Sequence, residues 1–389
     1  MTTTGNIVCD LGTGYMKTGF AGQNFPTSTF ANVIGRPILR SDKLPSGQRI
    51  PDLVVGEDCQ EIRAMLDLSF PLSNGIVQKW DELEILFDHA FKKKLHIDPK
   101  GSNILLSEPP FNPKKNRGRL YEMMFEKFGF AGSYVALQGV LTLYAQGETT
   151  GIVVDAGDGV THAIPVYDGF GLPMACKRLD VAGRTVTEYL MKLLQRRGYN
   201  FNRSADMDTV AQVKERFCYV ATDFDLERRL AFETTVLEKN YTLPDGRVMR
   251  IGTERFEAPE AMFNPSLLEM ESDGVSMMVY NAINAASIDV RSGLYSNIVL
   301  SGGSTMYPGF STRLFNDIRS TFVEKNLGGN KAKLAGSKFK LNVNDNPRRR
   351  HLVFQGAAFL AGALSDEQWV TKQDWAEGGI EYTYKKCPQ

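Results

Sequence analysis

Two aspartates set in the same surroundings are the residues of this chain best placed to do chemistry. NIVCDLGTGYMKTGF at residues 6–20 and GIVVDAGDGVTHAIP at residues 151–165 each run a short apolar stretch into Asp-x-Gly-x-Gly and out into alternating residues. The pattern predicts strand, tight glycine turn and returning strand, with Asp10 and Asp155 ending matching strands. Gly12 and Gly14 in one turn, and Gly157 and Gly159 in the other, admit positive φ and bring bare backbone N–H groups close to whatever sits above, which makes a ready anion cradle. Two such hairpins facing each other would clamp a polyphosphate and its cation from both sides. Either hairpin alone reads first as an ordinary Asx-Gly turn; the pair in related halves points to phosphate.

Carboxylates at these strand ends suit a hydrated divalent cation, because Mg²⁺ keeps several waters and takes only one or two protein or phosphate contacts. Lys17 follows the first turn, where its ammonium can reach a phosphate as a point charge. Gln138 and His162 are placed to order a water against a terminal phosphate without removing its proton, although a lone Gln or His is also an ordinary core hydrogen bonder. SGGSTMYPG at residues 301–309 offers close backbone approach at Gly302 and Gly303, with Tyr307 as a base or ribose neighbour. No Ser/His/Asp or Cys/His arrangement announces a nucleophile, and HExxH is absent.

The elements that must hold these residues also come in related pairs. NILLS at 103–107 and NIVLS at 297–301 both begin with Asn, run through three apolar residues and end in Ser. Asn103 lies 93 residues after Asp10 and Asn297 lies 142 after Asp155, so the halves match if the second carries about 49 extra residues. Helical spacing of Leu83, Leu86, Phe87, Ala90 and Phe91 predicts an amphipathic helix from Trp80 to Leu95, and another helix is expected over 116–128. In GRTVTEYLMKLLQRRGY, Val186, Tyr189, Leu190, Leu193 and Leu194 form one apolar stripe, with Arg196 and Arg197 in the last turn and Gly198 closing it. A helix around Thr209 to Val220 is expected to bury Val210, Val213 and Phe217 and to leave Lys214 and Glu215 at its flank, and a further helix runs through Leu314 and Ile318. YTLPDGRVMRIG reads as a hairpin turning at Asp245 and Gly246. GRPILRSDKLPSGQRIPDLVVGED reads as a small appended lobe with a mobile loop over Leu39 to Pro51, and NLGGNKAKLAGSK as an exposed insertion.

At 389 residues the chain has room for two substantial domains. Hydrophobic residues at 42% and charged residues at 23% are ordinary for a globular protein. Lys plus Arg equals Asp plus Glu at 45 each, so no overall field draws the chain to nucleic acid or membrane. Five scattered cysteines, never spaced as CxxC, argue against a disulfide framework and a zinc site. With the polar start MTTTGN they point to the cytosol. LVFQGAAFLAGAL, the longest apolar stretch at 13 residues, is too short to span a bilayer.

The same residues resemble the actin family. DLGTGYMKTGFAG, DAGDGVTHAIPVYDG and LSGGSTMYPG look like the two phosphate loops and the adenosine motif of that superfold. WDELEILFDHAF, LDVAGRTVTEYL, KERFCYV, LPDGRV and ERFEAPEAMF resemble actin itself, and the likeness covers essentially the whole chain. It implies an α/β, actin/Hsp70/hexokinase-type ATPase fold: two duplicated ribonuclease-H-like lobes around a nucleotide cleft that takes ATP/ADP and Mg²⁺ or Ca²⁺. Residues 1–145 with 352–389 would form the first lobe, carrying an insertion at 33–70, and residues 146–351 the second, with an insertion at 183–271.

The resemblance assigns Asp10, Lys17, Gln138, Asp155, Asp158 and His162 to cation, phosphate and attacking water. Gln138, His162 and Asp155 are then the catalytic group, and Asp10 and Asp155 hold the metal through water. Gly12, Thr13, Gly14, Tyr15, Gly157, Gly159 and Val160 complete the phosphate loops, and Gly183, Lys214, Glu215, Gly302, Gly303, Ser304, Met306 and Tyr307 surround the adenosine. Arg350 stands where the family usually has Lys, which keeps the charge and changes its shape. Leu11 replaces a polar residue, and Ala156 replaces a serine that would donate to phosphate; the lost donor should weaken nucleotide contacts or slow hydrolysis, by about 1–3 kcal/mol.

GQNFPTSTFANVIGRPILR, FPLSNGIVQKWDELE and NLGGNKAKLAGSKFKLNVNDNPRRRHLVF resemble the branch-nucleating actin-related members, whereas GETTGIVVDAGDGVTH, LLEMES and YKKC lean to conventional actin. The expectation is an ATP-binding subunit of a seven-subunit actin-branching nucleation complex, a filament-like template for a daughter filament that hydrolyses ATP slowly. Its partners would be actin, the other subunits including a second actin-related protein, and nucleation-promoting factors. It would sit in the cytoplasmic cytoskeleton at the cell cortex, with no nucleic acid and no membrane insertion. A divergent self-polymerising actin is the alternative. A small-molecule kinase of the same superfold fits less well, since no substrate base stands apart from the nucleotide residues. Leu39 to Pro51, charged and proline-containing where actin's loop carries apolar anchors, favours specialised contacts over self-assembly.

Overall fold

The computed structural model describes residues 5–38, 50–201, 206–243, 246–335 and 339–387. The chain divides into two compact units: Met1–Thr150 with Val166–Pro173 and Arg350–Gln389, and Gly151–Pro165 with Met174–Arg349.

The first unit is built on a six-stranded sheet. Strands β1 (Ile7–Leu11), β2 (Tyr15–Phe20) and β3 (Ser28–Ala31) form an antiparallel meander, and β4 (Asn103–Glu108) and β5 (Gly132–Leu137) add in parallel on the other side of β1. Val370–Thr371 closes the β5 edge. β1 is buried along its whole length, and its alternating side chains feed two cores. Ile7 and Cys9 join Leu83, Leu86, Phe87, Phe91 and Phe125 on one face, while Val8 joins Leu141, Phe354, Ala357 and Ala361 on the other.

The helices behind those residues are α1 (Trp80–Asp88), α2 (Lys114–Glu122), α3 (Gln138–Tyr144) and Leu352–Ala363. The helix expected from Trp80 to Leu95 is continuous in outline but widens into π-type turns over His89–Lys94, and α2 does the same over Met123–Lys127. The appended lobe has its own three-stranded sheet, with Ile34–Pro37 between Val54–Val55 and Leu66–Ser69, and a small core of Val33, Ile50, Val54, Cys59 and Leu66. Of the loop Leu39 to Pro51, residues 39–49 lie outside the described residues.

The second unit repeats the plan. β6 (Gly151–Ala156) and its returning strand β7 (Thr161–Tyr167) are followed by β8 (Lys177–Leu179), antiparallel to β7, and β9 (Ile298–Ser301) and β10 (Val343–Asn344) add in parallel beyond β6. The orders β3-β2-β1-β4-β5 and β8-β7-β6-β9-β10 are therefore the same. So is the register: Cys9 faces Leu106, one step short of Asp10 and Ser107, and Asp155 faces Ser301. The NILLS and NIVLS repeats are thus equivalent strands.

Helix α4 (Gly183–Arg196) buries Val186, Tyr189, Leu190, Leu193 and Leu194 as its spacing predicts, and Gly198 follows it at positive φ. α5 (Asp206–Phe217) starts and stops three residues ahead of the expected Thr209 to Val220, burying Val210 and Val213 but leaving Phe217 half-buried, and α6 (Phe310–Leu327) runs where expected, burying Leu314 and Ile318. Lys239–Thr242 and Val248–Ile251 pair as the predicted hairpin; Asp245 at its turn lies outside the described residues. The glycine-rich insertion is exposed at 328–333 and holds a short helix, Lys331–Ala335. All five cysteines are free and buried. Among the described residues no helix is long and apolar enough to cross a membrane.

Candidate functional site

In the first unit the tip between β1 and β2 is locked from outside. The Gly12 N–H donates to the Tyr15 carbonyl (3.1 Å), while Asn32 donates from its side chain to the Gly12 carbonyl (2.7 Å) and from its backbone to the Gly14 carbonyl (2.9 Å). The Gly75 N–H donates to Thr13 Oγ1 (2.8 Å). Gly12 therefore uses its own N–H within the turn, and the N–H groups of Thr13 and Gly14 are the ones with no acceptor among the described residues. The anion cradle expected at this turn is one residue further along than the first glycine.

Asp10, 3% exposed, is held by both carboxylate oxygens: Ser107 Oγ donates to Oδ1 (2.6 Å) and Lys17 Nζ pairs with Oδ2 (2.9 Å). Lys17 thus rests on the carboxylate named for the cation, where its charge offsets the burial of Asp10. Gln138 opens α3 at the end of β5, is buried, and points Nε2 at Ser107 Oγ (3.4 Å). The Leu11 N–H also donates to that hydroxyl (3.1 Å), so the backbone is anchored at this departure while the Leu11 side chain joins the core. His351 lies where Lys17 and Asp10 act on it; burial first, then Lys17 and Arg350, lower its pKa.

The second unit repeats the turn: the Gly157 N–H donates to the Val160 carbonyl (3.2 Å), and the Asp158 and Gly159 N–H groups have no acceptor among the described residues. The tip is tied to two neighbouring elements. Gly183 N–H (3.1 Å) and Ser304 Oγ (2.6 Å) donate to the Gly157 carbonyl, Arg184 N–H donates to the Asp158 carbonyl (2.8 Å), and the Arg184 guanidinium pairs with the Asp158 carboxylate (2.9 Å). Gly302 has φ 88° and ψ 156°, a region open essentially to glycine, and a Cβ there would sit 2.2 Å from the Ala156 carbonyl oxygen. A Cβ on Gly183 would meet Ser304 Oγ at 2.8 Å. Gly302 and Gly183 are therefore required by the closeness of these chain segments.

Lys214, expected at the flank of its helix, lies instead on the buried face. It is buried, and its ammonium donates to the Gly183 carbonyl and to Thr187 Oγ1, both at 2.8 Å; burial lowers its pKa and Asp158 acts against that. Lys214 follows Val210 by four residues and shares its buried face, which packs on α4. Glu215 and Met306 are exposed. Tyr307 is buried, its hydroxyl has no partner among the described residues, and burial, then Cys218, Glu215 and Asp158, raise its pKa. His162, on β7 opposite Arg178, is held neutral: burial, then Arg178, push its pKa down to about 3. Such an imidazole is far too weak a base at neutral pH to take a proton from water.

Two further assignments shift in meaning. Arg350 is exposed, whereas its neighbour Arg349 is buried and donates to the carbonyls of Thr305, Asp345 and Asn346. Ala156 is fully closed to solvent at the end of β6.

Sequence reasoning left Ser107, Asn32, Arg184 and Arg349 without a role. Only Ser107 had a signal, as the shared last residue of NILLS and NIVLS.

Across the whole chain, a model of the family described as Actin matches residues 1–388. This chain belongs to the actin family. It is 54% identical over 383 residues to actin-related protein 2 of Acanthamoeba castellanii, covering 98% of each chain. It is 52% identical over 376 residues to actin-related protein 2 of Arabidopsis thaliana, covering 96% of each. With actin-related protein 2 of Oryza sativa subsp. indica the identity is 51% over 389 residues, 99% of each.

Members of the actin family bind a nucleotide and a divalent metal, and the residues present fit both groups. Tyr307 offers a buried hydroxyl still lacking a partner, the glycine-only approaches at Gly183 and Gly302 shape a cradle, and unused N–H groups tip both hairpins. Among the described residues no three His, Cys, Asp or Glu side chains cluster to hold a metal.

Proposed function

We propose that this chain is an ATP-binding actin-related subunit of a seven-subunit actin-branching nucleation complex, acting as a filament-like template for a daughter actin filament and hydrolysing ATP slowly. The observation that carries the reading is identity above half, over nearly the full length, to actin-related protein 2 of an amoeba and two plants. Its partners are then actin, the other subunits including a second actin-related protein, and nucleation-promoting factors, at the cell cortex.

In this reading residues 1–145 with 352–389 and residues 146–351 are the two lobes, and Asp10 and Asp155 hold Mg²⁺, or Ca²⁺, through water. The cation, when bound, supplies positive charge to the phosphate oxygens. Thr13, Gly14, Asp158 and Gly159 present N–H groups to the phosphates, Lys17 exchanges part of its hold on Asp10 for phosphate, and Gln138 and neutral His162 orient the attacking water. Gly183, Lys214, Glu215, Gly302, Gly303, Ser304, Met306 and Tyr307 surround the adenosine, with Arg350 at the margin. Because His162 is a poor base, the water's proton leaves late or through other waters, which fits a slow turnover.

Native mass spectrometry of the endogenous, tagged chain tests the assembly. A stable seven-subunit particle containing a second actin-related protein is expected. Long homopolymers at low micromolar concentration would replace this reading with a self-polymerising actin.

A further inference from the structure

Ser107 sits where three strands converge, and its hydroxyl is at the centre of the first unit's site. β4 lies between β1 and β5, so Ser107 comes beside Asp10 on one side and pairs with Ala136, two residues before Gln138, on the other. Its side chain is 2% exposed. Three groups reach it: Asp10 Oδ1 at 2.6 Å, the Leu11 N–H at 3.1 Å and Gln138 Nε2 at 3.4 Å.

The valences of these groups decide the arrangement. A hydroxyl has one proton and two lone pairs. The Asp10 carboxylate, ion-paired with Lys17, only accepts, so the Ser107 proton is committed to it. The Leu11 N–H takes one lone pair, and the other must meet a donor. The Gln138 atom turned to Ser107 is therefore its amide nitrogen, because the flipped amide would set two oxygens against each other with no proton between them. Gln138 Oε1 is left to accept a hydrogen bond.

We propose that Ser107 is a positioning residue that fixes the Asp10 carboxylate for the cation and orients the Gln138 amide so that its oxygen accepts from the attacking water. This deepens the nucleotide reading above and rests on it. An oxygen accepting from water polarises it toward the phosphorus without removing its proton, whereas the nitrogen end would turn the water's lone pair away from the phosphorus. The repeat in the second unit, where Ser301 faces Asp155 in the sheet, shows that the fold places a serine beside the strand-end aspartate both times.

The test uses the full chain, Mg²⁺ and ATP, with two readouts: the Mg²⁺ concentration that half-saturates retention of a fluorescent ATP analogue, and single-turnover hydrolysis. Ser107→Ala is expected to raise the first several-fold and lower the second about tenfold, with ATP affinity at saturating Mg²⁺ within about twofold of the parent. Gln138→Ala added to Ser107→Ala is expected to slow hydrolysis by much less than it does alone, since the amide has already lost its orientation. Ser107→Thr against Ser107→Val, nearly isosteric, isolates the hydroxyl should the alanine variant fold poorly: Thr keeps both readouts and Val loses both. Ser107→Ala within twofold of the parent on both readouts, full multiplication of the two single effects, or Thr and Val behaving alike would each overturn the assignment. A parent chain that neither binds nor hydrolyses ATP refutes the nucleotide reading instead.

Discussion

Gly302→Ala against Gly303→Ala separates a glycine the site requires from one it does not. Gly302 carries φ 88° and ψ 156°, which costs a residue with a Cβ about 1–3 kcal/mol. The added Cβ would also stand 2.2 Å from the oxygen and 2.6 Å from the carbon of the Ala156 carbonyl, both backbone atoms that no rotamer change can move aside. Overpacking of that kind costs about another 1–3 kcal/mol, so the variant should lose about 2–6 kcal/mol. In a unit of this size each kcal/mol moves the midpoint by about 2–4 °C, so Tm should fall by about 5–20 °C. Gly303 has no heavy atom within 4 Å of its would-be Cβ, and Gly303→Ala should stay within about 0.5 kcal/mol of the parent. Relief of the clash has to displace the end of β6, where Asp155 sits, so Gly302→Ala should also lose most of the rise in Tm that ATP with Mg²⁺ gives. Thermal melts with and without ATP and Mg²⁺ read both effects. If Gly302→Ala melts within 2 °C of Gly303→Ala and keeps its nucleotide shift, the close approach of the two motifs is not what these glycines serve.

Three further outcomes follow from the same geometry. ATP with Mg²⁺ at about a thousand times its dissociation constant should stabilise the chain by about 4 kcal/mol, and Asp155→Ala should remove most of that gain; a melting curve indifferent to ATP and to chelator would contradict the site. Arg117 is fully buried, pairs with buried Glu108 (3.6 Å) and donates to the carbonyls of Val135 (3.0 Å) and Cys387 (2.8 Å), so Arg117→Ala should cost about 3–5 kcal/mol and expose the C-terminal helix Lys372–Lys386 to protease; unchanged denaturant midpoints would show the pair to be dispensable. His162, pushed down to about 3 when folded and near its ordinary value of about 6.5 when unfolded, makes the unfolded chain bind more protons between those limits, so stability is lost as pH falls from about 6.5 toward 3; in His162→Gln that loss should be shallower, and an identical slope would place the imidazole in contact with solvent.

The fold was written in the sequence chiefly through its repetition. Two Asp-x-Gly-x-Gly hairpins and two Asn-to-Ser strands, met in the same order, already imply two related sheets, because strand alternation and glycine turns are local properties that survive without a partner. The apolar stripe of α4 is legible for the same reason: helical period and burial agree along its whole length. What the sequence could not decide is how side chains from distant segments share hydrogen bonds. Ser107 looks like any strand-ending serine until β4 is laid beside β1 and its single proton is claimed by Asp10. Lys214 reads as a flanking lysine until the packing of α5 on α4 brings the Gly183 carbonyl and the Thr187 hydroxyl to its ammonium. Arg349 and Arg350 are indistinguishable neighbours until one is found under the Thr305 turn and the other outside it. Ala156 reads as a lost phosphate donor, and only the fold shows that it is closed to solvent. Residue types and spacing identify the chemistry available, because those depend on covalent structure and local backbone preference. Partnership, burial and the choice between chemically equivalent neighbours depend on contacts between separate segments, from the 27 residues between Thr187 and Lys214 to the 97 between Asp10 and Ser107, and only the folded chain brings those together.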